Sequence, residues 1–268
     1  MFELDVARPR RGVARAAGVL SAAWRGASTA GKLLRGRERA LDGAPSRMGL
    51  LVGTLPRLPV MLVHGLGADK SSLAVMERRL HDEGYTVYSV SYSCVDSDLE
   101  ACADALARDA AWLLEETGCE NLNVVAHSLG GVVLRWAATH TPMRDRVSLA
   151  ITLGSPHRGT PAAHLAPSRL PGFGKIISQL RPGLSEVVDD EWAPADTGTR
   201  WVTIAGERDR VVPARYASLP LSANVRNVVL PGSGHMTLTS NAHCMEIVLE
   251  ELRSAGPPVP QVLSCVGA

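Results

Sequence analysis

No run of eighteen apolar residues occurs anywhere in the 268-residue chain, so the sequence supplies no membrane-spanning helix. Cysteine is sparse and unpaired. Cys94, Cys102, Cys119, Cys244 and Cys265 are odd in number and show no Cys-x-x-Cys spacing, so they read as small buried or peripheral residues rather than a zinc site or a disulfide framework, with one disulfide left open. Net charge is also nearly absent: +1 overall gives the whole molecule no electrostatic case for nucleic acid. What remains is a chain that is 46% hydrophobic, with a mean hydropathy of +0.05, enough to bury the core of one substantial domain.

The charge is unevenly spread. Residues 1–47 hold ten Lys/Arg and four Asp/Glu, about +6, and the remainder is about −5. Residues 8–37 fit a helix with Val13, Ala16, Ala17, Leu20, Trp24 and Ala27 on one face and Arg11, Arg15, Arg25 and Lys32 largely off it. Such a helix could lie on acidic lipid as a peripheral anchor, pack on the main domain, or form a loose extension. Arg10-Arg11 ahead of Ala16–Trp24 also admits an export signal, but that stretch is short and Arg25 closes it without a clear cleavage site. Location is therefore read as cytoplasmic or peripheral to a membrane, with secretion open. The expected division is a basic extension and linker over 1–57, a main domain over 58–256, and a Pro-rich tail over 257–268.

Within the main domain, apolar β-branched runs alternate with amphipathic stretches. Strands are expected at 58–63, 86–92, 122–125, 147–153, 201–205 and 225–230, and helices at 71–83, with Leu73, Val75, Met76 and Leu80 inward, at 98–117, after residue 128, and at 242–253. That alternation implies an α/β fold: a mostly parallel six-stranded sheet with helices on both faces and its ligand site at the carboxyl ends of the strands. Residues 155–199 break the pattern with Pro156, Pro161, Pro167, Pro171, Gly172, Gly174, Pro182 and Gly183, and with short apolar pieces at Ile176, Ile177, Leu180, Val187 and Val188. So long an interruption reads as a small helical cap over the site.

The chain is organised around residues 121–135, where Ser128 stands between the strand Leu122–Val125 and a helix beginning at Val132. Ala126 and Gly130, two residues to either side, leave room for a strained turn that lifts the Ser128 hydroxyl clear of the sheet and puts the Leu129 N–H at a helix N-terminus. A serine needs a base. Among eight histidines, His235 is best placed, because Gly232-Ser-Gly-His-Met follows the last strand as a loop at the sheet's carboxyl edge. His127 and His64 read as supports for their own loops, and His81 and His243 as helix residues. A second donor for a developing oxyanion is expected from His64-Gly65-Leu66-Gly67, most simply the Leu66 N–H. The same loop half-matches a dinucleotide-binding turn, but Lys70 occupies the third glycine position, so no cofactor is expected.

The elbow resembles Gly-x-Ser-x-Gly of the α/β-hydrolase superfamily, with Ala126 in the first glycine position. Leu153-Gly-Ser-Pro-His-Arg-Gly is similar to a segment following the next strand in bacterial triacylglycerol lipases and esterases. This resemblance, over roughly 58–253, implies an α/β-hydrolase fold. It implies too that Asp209, four residues before Pro213, is the acid, with Glu207 as nearest competitor, in the order Ser128, Asp209, His235. The implied activity is a serine carboxylic-ester hydrolase on small-molecule or lipid esters, with no metal identified. Acyl transfer or thioester cleavage by the same triad is the enzymatic alternative. A silent hydrolase-fold protein that binds a lipid or a partner is the other.

Overall fold

The computed structural model describes residues 49–54, 56–165, 172–183 and 198–256. Seven strands form one sheet in the order β1-β3-β2-β4-β5-β6-β7: β1 Leu50–Leu51, β2 Val60–Val63, β3 Val87–Ser89, β4 Leu122–His127, β5 Val147–Leu153, β6 Arg200–Gly206 and β7 Val225–Leu230. All neighbouring pairs are parallel except β1 with β3. The six strands expected from sequence are present, and β1 is the addition. Two residues are too few to show a period of two, so the Gly49–Gly53 stretch looked like a plain connection.

Alternation along each strand divides the core. Met61, Val63, Val124 and Ala126 face the helices Leu99–Thr117 and Leu129–His140, while Val60, Leu62, Val125 and Ile151 face Ala74–Asp82 and the closing helix Ala242–Ser254. Local chemistry sets the helix ends. The Asp98 carboxylate accepts the Ala101 N–H at 2.8 Å, Gly118 turns left-handed at φ 66°, and Asn241 accepts the Cys244 N–H at 2.9 Å. Leu73, Met76 and Leu80 are buried as the periodicity predicts, but Val75 is 62% exposed. At about 100° per residue Leu73, Met76 and Leu80 share one face and Val75 falls well off it, so the regular helical winding itself turns Val75 to solvent.

The chain leaves β2 for β3 on one side and returns across it to β4 on the other. The carboxyl ends of β2 and β4 therefore flank a topological switch point, the place where an open parallel sheet leaves a crevice. Of residues 155–199, the segments 155–165, with the short helix Ala162–Leu165, 172–183 and 198–199 are described. The segment 172–183 contains the short helix Gly174–Ser178. It is tied down by the Asp96 N–H on the Gly172 carbonyl, the Leu99 N–H on Gln179 Oε1 and a Lys175–Asp98 ion pair. Ile176, Ile177 and Leu180 are buried against the first face of the core. Val187, Val188, residues 8–37 and the tail from 257 lie outside the described residues.

Candidate active site

Ser128 stands at φ 53° and ψ −126°, a left-handed conformation that costs a residue with a β-carbon about 1–3 kcal/mol. The surroundings enforce it. The Ser128 N–H is fixed to the Leu153 carbonyl at 2.9 Å, and the helix that follows is drawn tight against the sheet at two glycines. A β-carbon at Gly130 would sit 2.6 Å from the His64 carbonyl oxygen, and one at Gly131 would sit 2.1 Å from Ser155 Oγ. The small residue two places after the nucleophile is thus required by the end of β2, and the one after it by the loop leaving β5.

The structure brings Ser128, His235 and Asp209 together. His235 Nε2 lies 3.0 Å from Ser128 Oγ, and His235 Nδ1 lies 2.7 Å from Asp209 Oδ2. A carboxylate only accepts, so Nδ1 carries the proton and Nε2 is free to receive the serine hydroxyl. Asp209 is buried and cannot turn: its other oxygen accepts the Val211 and Val212 N–H groups at 2.9 and 2.8 Å. Glu207, the competing acid, reaches elsewhere and accepts the Gly232 N–H at 2.8 Å, holding the start of the His235 loop. That loop is further joined to the acid loop by the Arg208 N–H on the Ser233 carbonyl at 2.9 Å, with Asn241 Nδ2 on Ser233 Oγ at 3.2 Å.

The turn after β2 crosses directly over the nucleophile. A β-carbon at Gly65 would lie 3.0 Å from Ser128 Cβ. Among the described residues neither the Leu66 nor the Leu129 N–H has a main-chain acceptor, and Leu129 begins its helix. Both donors remain available to a ligand oxygen. The turn is braced from behind by His64, whose Nδ1 donates to the Gly65 carbonyl at 3.0 Å and whose ring stacks on Tyr92 at 4.5 Å. Tyr92 in turn donates its hydroxyl to the His64 carbonyl at 2.8 Å. Burial lowers the His64 imidazole below its ordinary value and so keeps it neutral.

Two residues of the site were under-read in the sequence. Gly154, at φ 57°, floors the relay: a β-carbon there would lie 3.1 Å from His235 Nδ1 and 3.2 Å from Asp209 Oδ2. Its signal was its place at the end of β5, inside a segment already singled out. His127, read as a support for the elbow alone, contacts His235. Its Nε2 stands 3.2 Å from the His235 carbonyl oxygen. His81 and His243 take no part. Among the described residues no group of three or more His, Cys, Asp and Glu side chains could hold a metal ion.

A family profile described as alpha/beta hydrolase fold matches residues 59–189. The triacylglycerol lipase of Vibrio cholerae is 32% identical over 140 residues, 50% of this chain and 43% of that protein. The triacylglycerol lipase of Pseudarthrobacter phenanthrenivorans is 34% identical over 112 residues, 39% of this chain and 34% of its own length. The match therefore spans less than half the length of these relatives. Among solved structures, the mature form of a Bacillus licheniformis lipase superposes with a TM-score of 0.66 at 20% identity, over 75% of this chain and 94% of that one. Identity at that level speaks to fold and leaves activity to be argued from the site.

Proposed function

We propose that this chain, which has the α/β-hydrolase fold, is a serine carboxylic-ester hydrolase that cleaves acyl or lipid esters through an acyl-enzyme. The observation that carries the reading is the continuous contact from Asp209 through His235 to Ser128, 2.7 and 3.0 Å long, beneath two unclaimed main-chain N–H groups. In this mechanism His235 Nε2 takes the Ser128 proton as Oγ attacks the ester carbonyl. Asp209 holds the ring and stabilises the imidazolium. The carbonyl oxygen becomes an oxyanion between the Leu66 and Leu129 N–H groups, each such donor being worth about 3 kcal/mol in the transition state. His235 then gives its proton to the departing alcohol, and water repeats the sequence on the acyl-enzyme to release the acid and restore Ser128.

The preference for acyl substrates rests on what surrounds the relay. Leu66, in the turn that crosses Ser128, is apolar and only half-buried, and Phe173 is likewise half-buried beside the same core face, whereas a charged substrate would need a partner there. The similarity to triacylglycerol lipases over half the chain supports the same reading. The test is turnover of p-nitrophenyl esters from acetate to palmitate. Wild type is expected to hydrolyse them, and Ser128→Ala and His235→Ala to fall by about five to six orders of magnitude. His235→Ala retaining a tenth of the activity would mean that the base is another residue.

A further inference from the structure

Of the histidines around Ser128, the mechanism above uses one and leaves His127 unemployed. His127 ends β4 directly before the nucleophile, and strand alternation sends it to the same side as Val125, where the His235 loop packs. Its Nε2 is 3.2 Å from the His235 carbonyl oxygen, and the two rings lie 5.0 Å apart, tilted by 43°. A carbonyl oxygen accepts only, so His127 must carry its proton on Nε2. On its other side a β-carbon at Gly65 would come within 3.4 Å of His127 Nδ1. The imidazole thus fills the space between the turn that supplies the oxyanion donor and the loop that supplies the base.

We infer that His127 is a positioning residue: its Nε2–H holds the main chain of His235, so that the base keeps contact with Ser128 on one side and Asp209 on the other. This role rests on the hydrolase reading. Burial, reinforced by the charge His235 acquires, pushes the His127 imidazole down to about 3, with the bond to the His235 carbonyl opposing and His64 adding to the fall. Its neutrality has a use. A second cation 5.0 Å from His235 would resist the imidazolium on which the reaction depends.

Two uncharged replacements separate an anchoring bond from simple packing. His127→Phe keeps a ring and loses the donor; His127→Gln loses the ring and keeps an N–H at a similar reach. With p-nitrophenyl butyrate, His127→Phe is expected to lower kcat by about 10- to 100-fold, the penalty of a base set about 1 Å astray, while KM stays within about threefold. His127→Gln should return kcat to within about threefold of wild type. A His127→Gln enzyme as slow as His127→Phe, or a His127→Phe enzyme within about twofold of wild type, overturns the role.

Nitrogen-15 NMR of the wild-type imidazoles gives a readout that needs neither variant to fold. The expected signature is a neutral Nε2–H tautomer at His127 with no titration between about pH 5 and 8. An Nδ1–H tautomer, or a midpoint inside that range, contradicts the anchoring bond. The failure of the hydrolase reading looks different: a wild type that cleaves no ester yet shows this signature would remove the catalytic role and leave the bond standing.

Discussion

At the scale of single residues, the site is held by contacts that allow no added atom. Gly154 combines two constraints, because its left-handed φ strains any side chain and a β-carbon there would press on His235 Nδ1 at 3.1 Å and Asp209 Oδ2 at 3.2 Å. Gly154→Ala is expected to destabilise the fold by about 1–3 kcal/mol and to lower kcat with little change in KM, which thermal melting and ester kinetics together would check. Ser128 presents the opposite situation, since glycine relieves its strained backbone. Ser128→Gly should abolish turnover yet melt no lower than Ser128→Ala. Asp209 was legible through the resemblance, from its place four residues before Pro213; its turn, in which one carboxylate oxygen accepts the Val211 and Val212 N–H groups and the other is left for His235, is visible only in the structure. Gly154 and His127 were harder to read, because their partners come from distant loops and carry no mark of that approach in local spacing.

At the scale of elements, periodicity recovered what is regular. The strands from β2 to β6 are apolar runs buried on both faces, as a covered parallel sheet requires, and the long helices follow a 3.6 repeat. By contrast, β7 at the sheet's edge buries Leu230 and leaves Val229 50% exposed. Two readings failed: the strand Leu50–Leu51 is too short to show a period, and Val75 was counted inward although 3.6-residue winding sets it well off the face of Met76 and Leu80. Neither touches the site. The loop pair that does build it depends on contacts between connections, with Glu207 reaching across to the Gly232 N–H. Glu207→Ala should therefore loosen the His235 loop and cost about five- to tenfold in kcat, without the collapse expected of a relay member. Loss by four orders of magnitude would instead make Glu207 the acid, and Asp209→Asn measured alongside distinguishes the two.

At the scale of the whole molecule, burial of neutral histidines predicts acid lability. His64 and His127 are lowered chiefly by burial, as is His157, which lies well below its ordinary value. The unfolded chain takes up protons on these imidazoles below about pH 6.5 and the folded chain resists, so their stabilisation is present above that pH and lost as pH falls. Asp98 adds in the same direction, held down mainly by its hydrogen bond to Lys175. Asp109 opposes, since burial raises it to about 6 and its contribution is lost as pH rises through that value. Three imidazoles outweigh one carboxyl, so the melting temperature should climb from pH 4.5 to about 6.5 and then level; a flat profile would contradict these assignments. The basic arm also belongs to this scale. If residues 8–37 serve as a peripheral anchor, the full chain should sediment with anionic vesicles and a chain beginning at residue 49 should not. The central claim, however, is an activated serine, and it is tested most directly by the mass of the protein after exposure to a fluorophosphonate. One adduct is predicted, mapped to Ser128, absent in Ser128→Ala and slowed by orders of magnitude in His235→Ala. An unlabelled wild type, or equal labelling of Ser128→Ala, would contradict it.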